Sequence, residues 1–206
     1  ARPLSTGRAI SIKYPAWHMG RTKVEAMQMT GARVACETLL REGVDVMFGI
    51  PGGAILPFYD ALWHYPQIRH VLMRHEQASA HAAEAYARVT GRVGVCVATS
   101  GPGATNLVTG LAAAKMDSAP IVAITGTSNP NNQYRHTYQQ VDDMPAFQPV
   151  TKFNARIDSV ERLPDMLLQA FRSATTATPG PVHLEIQGHL AELEDQSADL
   201  DMLVEE

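Results

Sequence analysis

Short apolar runs alternate with helical spacing along most of the chain, and that rhythm restricts the fold more than any single residue does. Residues 44–48, 69–73, 93–98, 121–125, 153–157 and 181–186 read as strands. Helical spacing covers 30–41, the stretch from the Gly49-Ile50-Pro51-Gly52-Gly53 loop to Trp63, 77–89, 104–115, and a segment opened by Pro164 that ends near Thr175. Apolar strands separated by helices signal βαβ units. The predicted fold is a doubly wound α/β domain, with a six-stranded, mainly parallel sheet and helices on both faces. Right-handed crossovers then place each strand-to-helix loop on one edge of the sheet, where such folds bind ligands. The loops so placed are 49–53, 74–76, 99–103 and 126–145.

Composition narrows the function classes. The 206 residues are 45% apolar and 18% charged, which suits one domain with a sizeable core and excludes bulk disorder. No apolar run approaches the roughly 20 residues a membrane helix needs, so no membrane partner is expected. The net charge of −4 argues against nucleic acid, whose binding shows as a basic excess. Cys36 and Cys96 sit in apolar periodic segments with no CxxC or Cys/His pattern. That points away from structural zinc or disulfides and towards a reducing, cytoplasmic compartment.

Charge is uneven along the chain. Arg2, Arg8, Lys13, Arg21 and Lys23 face only Glu25 near the start, whereas the last stretch holds seven acids and no Lys or Arg. These ends read as a flexible N-terminal extension (1–28) and an acidic C-terminal tail or linker (190–206), flanking a domain at 29–189.

Two loops invite a chemical reading. Gly101-Pro102-Gly103 after a strand suggests a dinucleotide turn, but Asn106 replaces the third glycine and Pro102 removes an amide donor. Arg74-His75-Glu76 ends a strand and opens a helix rich in alanine, which can pack close to its neighbours. Glu76 is either a first-turn acid stabilised by the helix dipole or a carboxylate that exchanges a proton with a ligand. Spacing alone leaves both open. His75 and His81 flank the same element and read as packed or surface histidines.

The composite pattern is more specific. Phe48-Gly49-Ile50-Pro51-Gly52-Gly53-Ala54, Arg74-His75-Glu76-Gln77 and Glu84-Ala85-Tyr86-Ala87-Arg88-Val89-Thr90-Gly91 follow one another in order. So do Thr99-Ser100-Gly101-Pro102-Gly103-Ala104-Thr105-Asn106, Met116-Asp117-Ser118-Ala119-Pro120, Tyr138-Gln139-Gln140-Val141-Asp142 and Pro179-Gly180-Pro181-Val182. Together they resemble the N-terminal pyrimidine-binding (PYR) domain of thiamine-diphosphate (ThDP) enzymes of the acetolactate synthase type.

The resemblance implies a ThDP-binding fold in which Glu76 matches the acid that hydrogen-bonds the cofactor's aminopyrimidine ring. A proton shared there favours the imino form that removes the thiazolium C2 proton, so one carboxylate activates the cofactor. Pro51, Gly52, Thr99, Pro102, Gly103, Asn106 and Gln139 match positions in or beside the cofactor pocket. Lys152 matches a basic position near the substrate channel, though a solvated lysine fits it equally.

The sequence departs from the family where Thr178 replaces an arginine that contacts FAD and Gln187-Gly188-His189 replaces Pro-Lys-Asp. Those changes put FAD and acetolactate synthesis itself in doubt. Family members hold the diphosphate and Mg²⁺ on a second domain bearing Gly-Asp-Gly and Asn-Asn. Gly-Asp-Gly is absent here, and Asn131-Asn132 sits in a first-domain loop. The resemblance thus implies the pyrimidine half of a 2-oxo acid carboligase or decarboxylase, inactive without a pyrophosphate-binding domain on the same or another chain. A homo- or hetero-oligomer and an exposed apolar patch facing the partner follow. Alternatives are another ThDP-dependent lyase, a non-catalytic or regulatory module that kept the fold, and a nucleotide-binding α/β domain.

Overall fold

Thr30 starts the first helix: its Oγ1 accepts the Arg33 amide at 3.4 Å, satisfying one of the free donors of the opening turn. The computed structural model describes residues 29–127 and 135–187, and the backbone of 194–195. The expected N-terminal extension, loop residues 128–134 with Asn131 and Asn132, and most of the acidic tail lie outside the described residues.

The order is β1 (Met29–Thr30), α1 (Gly31–Arg41), β2 (Val46–Gly49), α2 (Leu56–Leu62), β3 (Arg69–Leu72), α3 (Glu76–Thr90) and β4 (Gly94–Ala98). Then come α4 (Pro102–Asn106), α5 (Val108–Met116), β5 (Ile121–Thr127), α6 (Met144–Phe147), β6 (Phe153–Ile157), α7 (Leu163–Thr175), β7 (Val182–Gln187) and β8 (Glu194–Asp195). The main sheet has six strands in the order β3-β2-β4-β5-β7-β6, and every neighbouring pair is parallel. The doubly wound α/β expectation therefore holds.

Strand alternation divides the core between two layers. Val95, Val97, Val122, Ile124, Leu184 and Ile186 meet α1, α2 and α7, where Leu39, Phe58, Leu163 and Leu167 are almost wholly buried. Each such side chain contributes about 1.5–3 kcal/mol when removed from water. Cys96, Ala98, Ile121 and Ala123 meet Leu107, Leu111 and Phe147 on the opposite face. There α3 contributes Ala80 and Ala83, small enough for Gly94 of β4 and Gly110 of α5 to lie directly against it. Close helix-on-sheet packing fixes where the first turn of α3 ends up.

The elements differ from the sequence reading in several places. β2 begins at Val46, because the Gly43 and Val44 amides bond back to Leu40 and Leu39 and finish α1. The helix expected over 104–115 divides at Leu107, whose amide bonds Ala104 three residues back and tightens the turn. β5 continues to Thr127, since Gly126 and Thr127 pair with Ile186 and Gln187. α6 starts in the last two residues of the expected long loop and runs past it, followed by a 3₁₀ turn at Gln148–Val150. Within the expected acidic tail, β8 pairs antiparallel with β1, placing Asp195 opposite Met29.

Candidate functional site

The chain leaves β2 towards β3 on one side and returns to β4 on the other, so the crevice between β2 and β4 is the topological switch point. Three strand-to-helix turns converge there. After β2, Gly52 packs so tightly on Thr99 that an added methyl would lie 2.5 Å from Thr99 Cβ. Thr99 Oγ1 also accepts the Ala54 amide at 3.3 Å, tying the β2 loop to the end of β4. On its other side Thr99 meets Gly103, where an added methyl would lie 2.6 Å from Thr99 Cγ2 and 3.4 Å from Glu76 Oε1. Absence of side chains at both glycines lets the two turns close onto Thr99 beside the carboxylate.

Glu76 is the first residue of α3 and is half-buried. His75 precedes it as the cap, its Nδ1 accepting the Gln77 amide at 3.1 Å. A histidine in this place leaves the Glu76 side chain free of capping duty. Asn106, at the end of α4, donates from Nδ2 to Glu76 Oε2 at 2.9 Å. The carboxylate is thus held by one amide on one oxygen, with its other oxygen turned to the Gly103 backbone. A carboxylate at a helix N-terminus is favoured by the dipole and can hold or release a proton at a fixed place.

Gly101 sits at φ 57°, ψ −119°, a conformation open to glycine but costly for other residues. Its Cα packs against the backbone carbonyl of Gln139, so the 135–143 segment rests on this loop. Gln139 itself has φ 59°.

The structure therefore brings together Gly52, Thr99, Gly103, Glu76 and Asn106, with the Gln139 backbone one step away against Gly101. Pro51 and Pro102 stand exposed in the same two turns. Lys152 is not among them. It precedes β6 on the opposite edge of the sheet, its amide bonded to Pro181 and its Nζ donating to the carbonyls of Ser173 and Thr176 at 2.6 and 2.7 Å. There it caps the C-terminal end of α7, with its stem against Gly180. His81 is exposed and lies 3.4 Å from Glu84.

A second polar cluster escaped the sequence reading. His183 and Glu185 alternate along β7 towards α6, together with Arg156 and Asn154 of β6. His183 bonds Thr125 Oγ1 at 2.8 Å and Asn154 Oδ1 at 2.7 Å, and its ring stacks on Phe147 at 3.6 Å. Burial pushes its pKa down to about 3, aided by the Arg156 charge. The period-2 pattern Val-His-Leu-Glu-Ile-Gln was the available signal: its polar members share one face. Among the described residues, no group of three or more His, Cys, Asp or Glu side chains is placed to hold a metal ion.

Comparison with known proteins agrees with this geometry. Residues 29–146 match the family described as "Thiamine pyrophosphate enzyme, N-terminal TPP binding domain". A probable acetolactate synthase large subunit of Methanococcus aeolicus is 48% identical over 166 residues, 81% of this chain and 28% of that protein. The acetolactate synthase large subunit of Corynebacterium glutamicum is 47% identical over 176 residues, 85% of this chain and 27% of that protein. That of Lactococcus lactis subsp. lactis is 42% identical over 165 residues, 80% of this chain and 29% of that protein. The chain spans less than a third of the length of these relatives. A match covering more than half the chain, centred on the turns that converge at Glu76, places it in the family of thiamine pyrophosphate enzyme N-terminal TPP-binding domains.

Proposed function

We propose that this chain is the pyrimidine-binding part of a ThDP-dependent 2-oxo acid carboligase or decarboxylase resembling acetolactate synthase. The observation that carries the reading is the placement of Glu76: half-buried, at the start of α3, one oxygen on Asn106 and the other beside the Gly103 backbone. The residues fit an aminopyrimidine edge. Gly52 and Gly103 let the two turns close onto Thr99, where added methyl groups would overlap its side chain, and they bring this backbone up beside the Glu76 carboxylate. When bound, ThDP supplies an electron sink for cleaving or forming a bond beside a carbonyl.

The work of this chain lies in placement and proton handling. Glu76 holds or yields a proton at its oxygen beside Gly103, while Asn106 fixes the other oxygen and thereby the plane of the carboxylate. Thr99 spaces Gly52 from Gly103 and sets the width of the cradle. Pro51, Pro102 and Gln139 line or support the same turns. The diphosphate and Mg²⁺ would be held by a pyrophosphate-binding domain on the same or another chain, a reading supported by the lack of Gly-Asp-Gly in this sequence. The exposed apolar side chains Leu56, Leu72, Tyr138 and Val141 all lie on the sheet edge where that partner would sit. A homo- or hetero-oligomer in the cytoplasm, acting on a small 2-oxo acid, completes the proposal. FAD is left out of it because Thr178 stands where the family has the contacting arginine.

Calorimetry tests it. ThDP with Mg²⁺ should bind weakly to this chain alone and tightly to the assembled enzyme. NAD should bind neither. Clear NAD binding, or tight ThDP binding that is indifferent to Glu76→Ala, would overturn the reading.

A further inference from the structure

The polar face beneath α6 contains more negative charge than it neutralises. Arg156 donates from Nε to Glu185 Oε2 at 2.8 Å. Glu185 Oε1 and both carboxylate oxygens of Asp143 are buried with no hydrogen-bond partner, although Asp143 is 1% exposed and Glu185 0%. Two desolvated carboxylates facing one guanidinium leave one charge too many, and retaining a proton relieves it at least cost. Burial first, and the Glu185 charge second, push the Asp143 carboxyl up to about 6, with the Arg156 charge opposing.

Asp143 also ends the segment that crosses the cofactor loop. Within that segment His136 and Gln139 have φ 50° and 59°, a region that disfavours side-chain-bearing residues and persists only where the surroundings hold it. One hold is Gln139 on Gly101, where an added methyl would lie 3.0 Å from the Gln139 carbonyl carbon and 3.4 Å from Val141 Cγ2. The other is the start of α6, where Asn154 Nδ2 donates to the Met144 carbonyl at 2.8 Å and the Asp143 carboxyl is buried, within the field of Glu185.

We propose that Asp143, set against Glu185, is a proton-operated latch that keeps segment 135–143 seated on loop 99–103. Among the described residues, the charged neighbours are these. Glu185 and neutral His183 face the site from β7, Arg156 faces it from β6, and Asp142 adds to the Arg156 field from the segment itself. Lys115 of α5 is committed to the carbonyls of Pro149 and Thr151. With Asp143 protonated, the cluster is an Arg156–Glu185 pair and neutral overall; with it ionised, one buried negative charge stands unopposed. The closed latch holds its proton more tightly than the open segment does. Closure is thus fully favoured below the free carboxyl value near 3.8 and weakens as pH rises through about 6. Because Gly103 of the same loop adjoins Glu76, opening would loosen the cradle; that last consequence rests on the pyrimidine-binding reading, and the latch itself does not.

Hydrogen exchange of the 206-residue chain from pH 5 to pH 8, corrected for intrinsic rates, reads the latch directly. Peptides covering 135–147 and 99–106 should lose protection about tenfold across that range, and Asp143→Asn, a neutral isostere, should flatten the dependence. Flat protection in the wild-type chain, or a slope that survives in Asp143→Asn (the result expected if exposed His136 were responsible), would overturn the proposal. Carbon-13 titration of the Asp143 carboxyl tests the same point without a variant: a midpoint near 6 supports the latch, and one in the ordinary carboxylate range refutes it. ThDP enters neither readout, so failure of the latch and failure of the cofactor reading are separable.

Discussion

Asn106 Nδ2 and Glu76 Oε2 lie 2.9 Å apart, joining the last residue of α4 to the first residue of α3. The bond spans two βα units and fixes a carboxylate that its own helix would leave free to rotate. The geometry of the proposed proton site thus depends on the packing of α3 on β4 and of α4 beside it. A carboxylate held this way suits a proton donor that must always meet the same ligand atom.

Glu76→Gln keeps an oxygen for the Asn106 amide and removes only the exchangeable proton. In the assembled enzyme, turnover should fall by at least about a hundredfold, while the thermal midpoint of the chain changes little. Turnover assays and circular dichroism melting decide it; near-normal activity would take Glu76 out of the mechanism.

Gly101→Ala places a methyl into the Gln139 backbone at a φ of +57°, so strain and overlap act together. A loss of about 2–4 kcal/mol in urea unfolding is expected. Gly52→Ala involves overlap with Thr99 alone and should cost about 1–3 kcal/mol. Both should weaken ThDP binding by the assembled enzyme, because they shift the same pair of turns.

His183 and Asp143 give opposite pH dependences. Folded His183 titrates at about 3 and a free histidine near 6.5, so between these values the unfolded chain binds the extra proton. Stability therefore falls with acid over that window. Asp143, raised to about 6, binds its extra proton in the folded state, and stability rises as pH drops from 6 towards 3.8. The two slopes largely offset each other between pH 6 and pH 4. Asp143→Asn should uncover the histidine slope, opening a gap of about 2 kcal/mol between the variant and wild-type urea curves over that interval.

Leu167→Ala removes a fully buried side chain from the α7 face and should cost about 2–5 kcal/mol. Val89→Ala, at a side chain 87% exposed, should stay within about 0.5 kcal/mol. Urea midpoints of the two variants side by side test the assignment of faces.

The sheet was legible because its central strands are near-continuous apolar runs that no helical period explains, as in Val-Cys-Val-Ala of β4. Helix ends were less so. The break at Leu107 comes from a single three-residue-back hydrogen bond, which no residue type announces. Glu76 could be singled out by its position at the mouth of a small-residue helix, but its partnership with Asn106 joins residues 30 apart and needed the fold. Lys152 shows the reverse case. The family pattern suggested a basic residue near the substrate channel, with a solvated lysine fitting equally, and the structure shows an exposed lysine whose ammonium bonds two helix-end carbonyls. Glu185 and His183 were missed because every residue of β7 is buried in the fold, which hides which of its polar residues lack a partner, and Asp143 because it lies in the expected polar loop.

The pairing of Met29 with Asp195 has a mechanical consequence. Tension applied at these two points would unzip a two-rung ladder one rung at a time, before any load reached the parallel strands behind it. The fold therefore carries a weak fuse at its threshold, which would part while the interior stays intact.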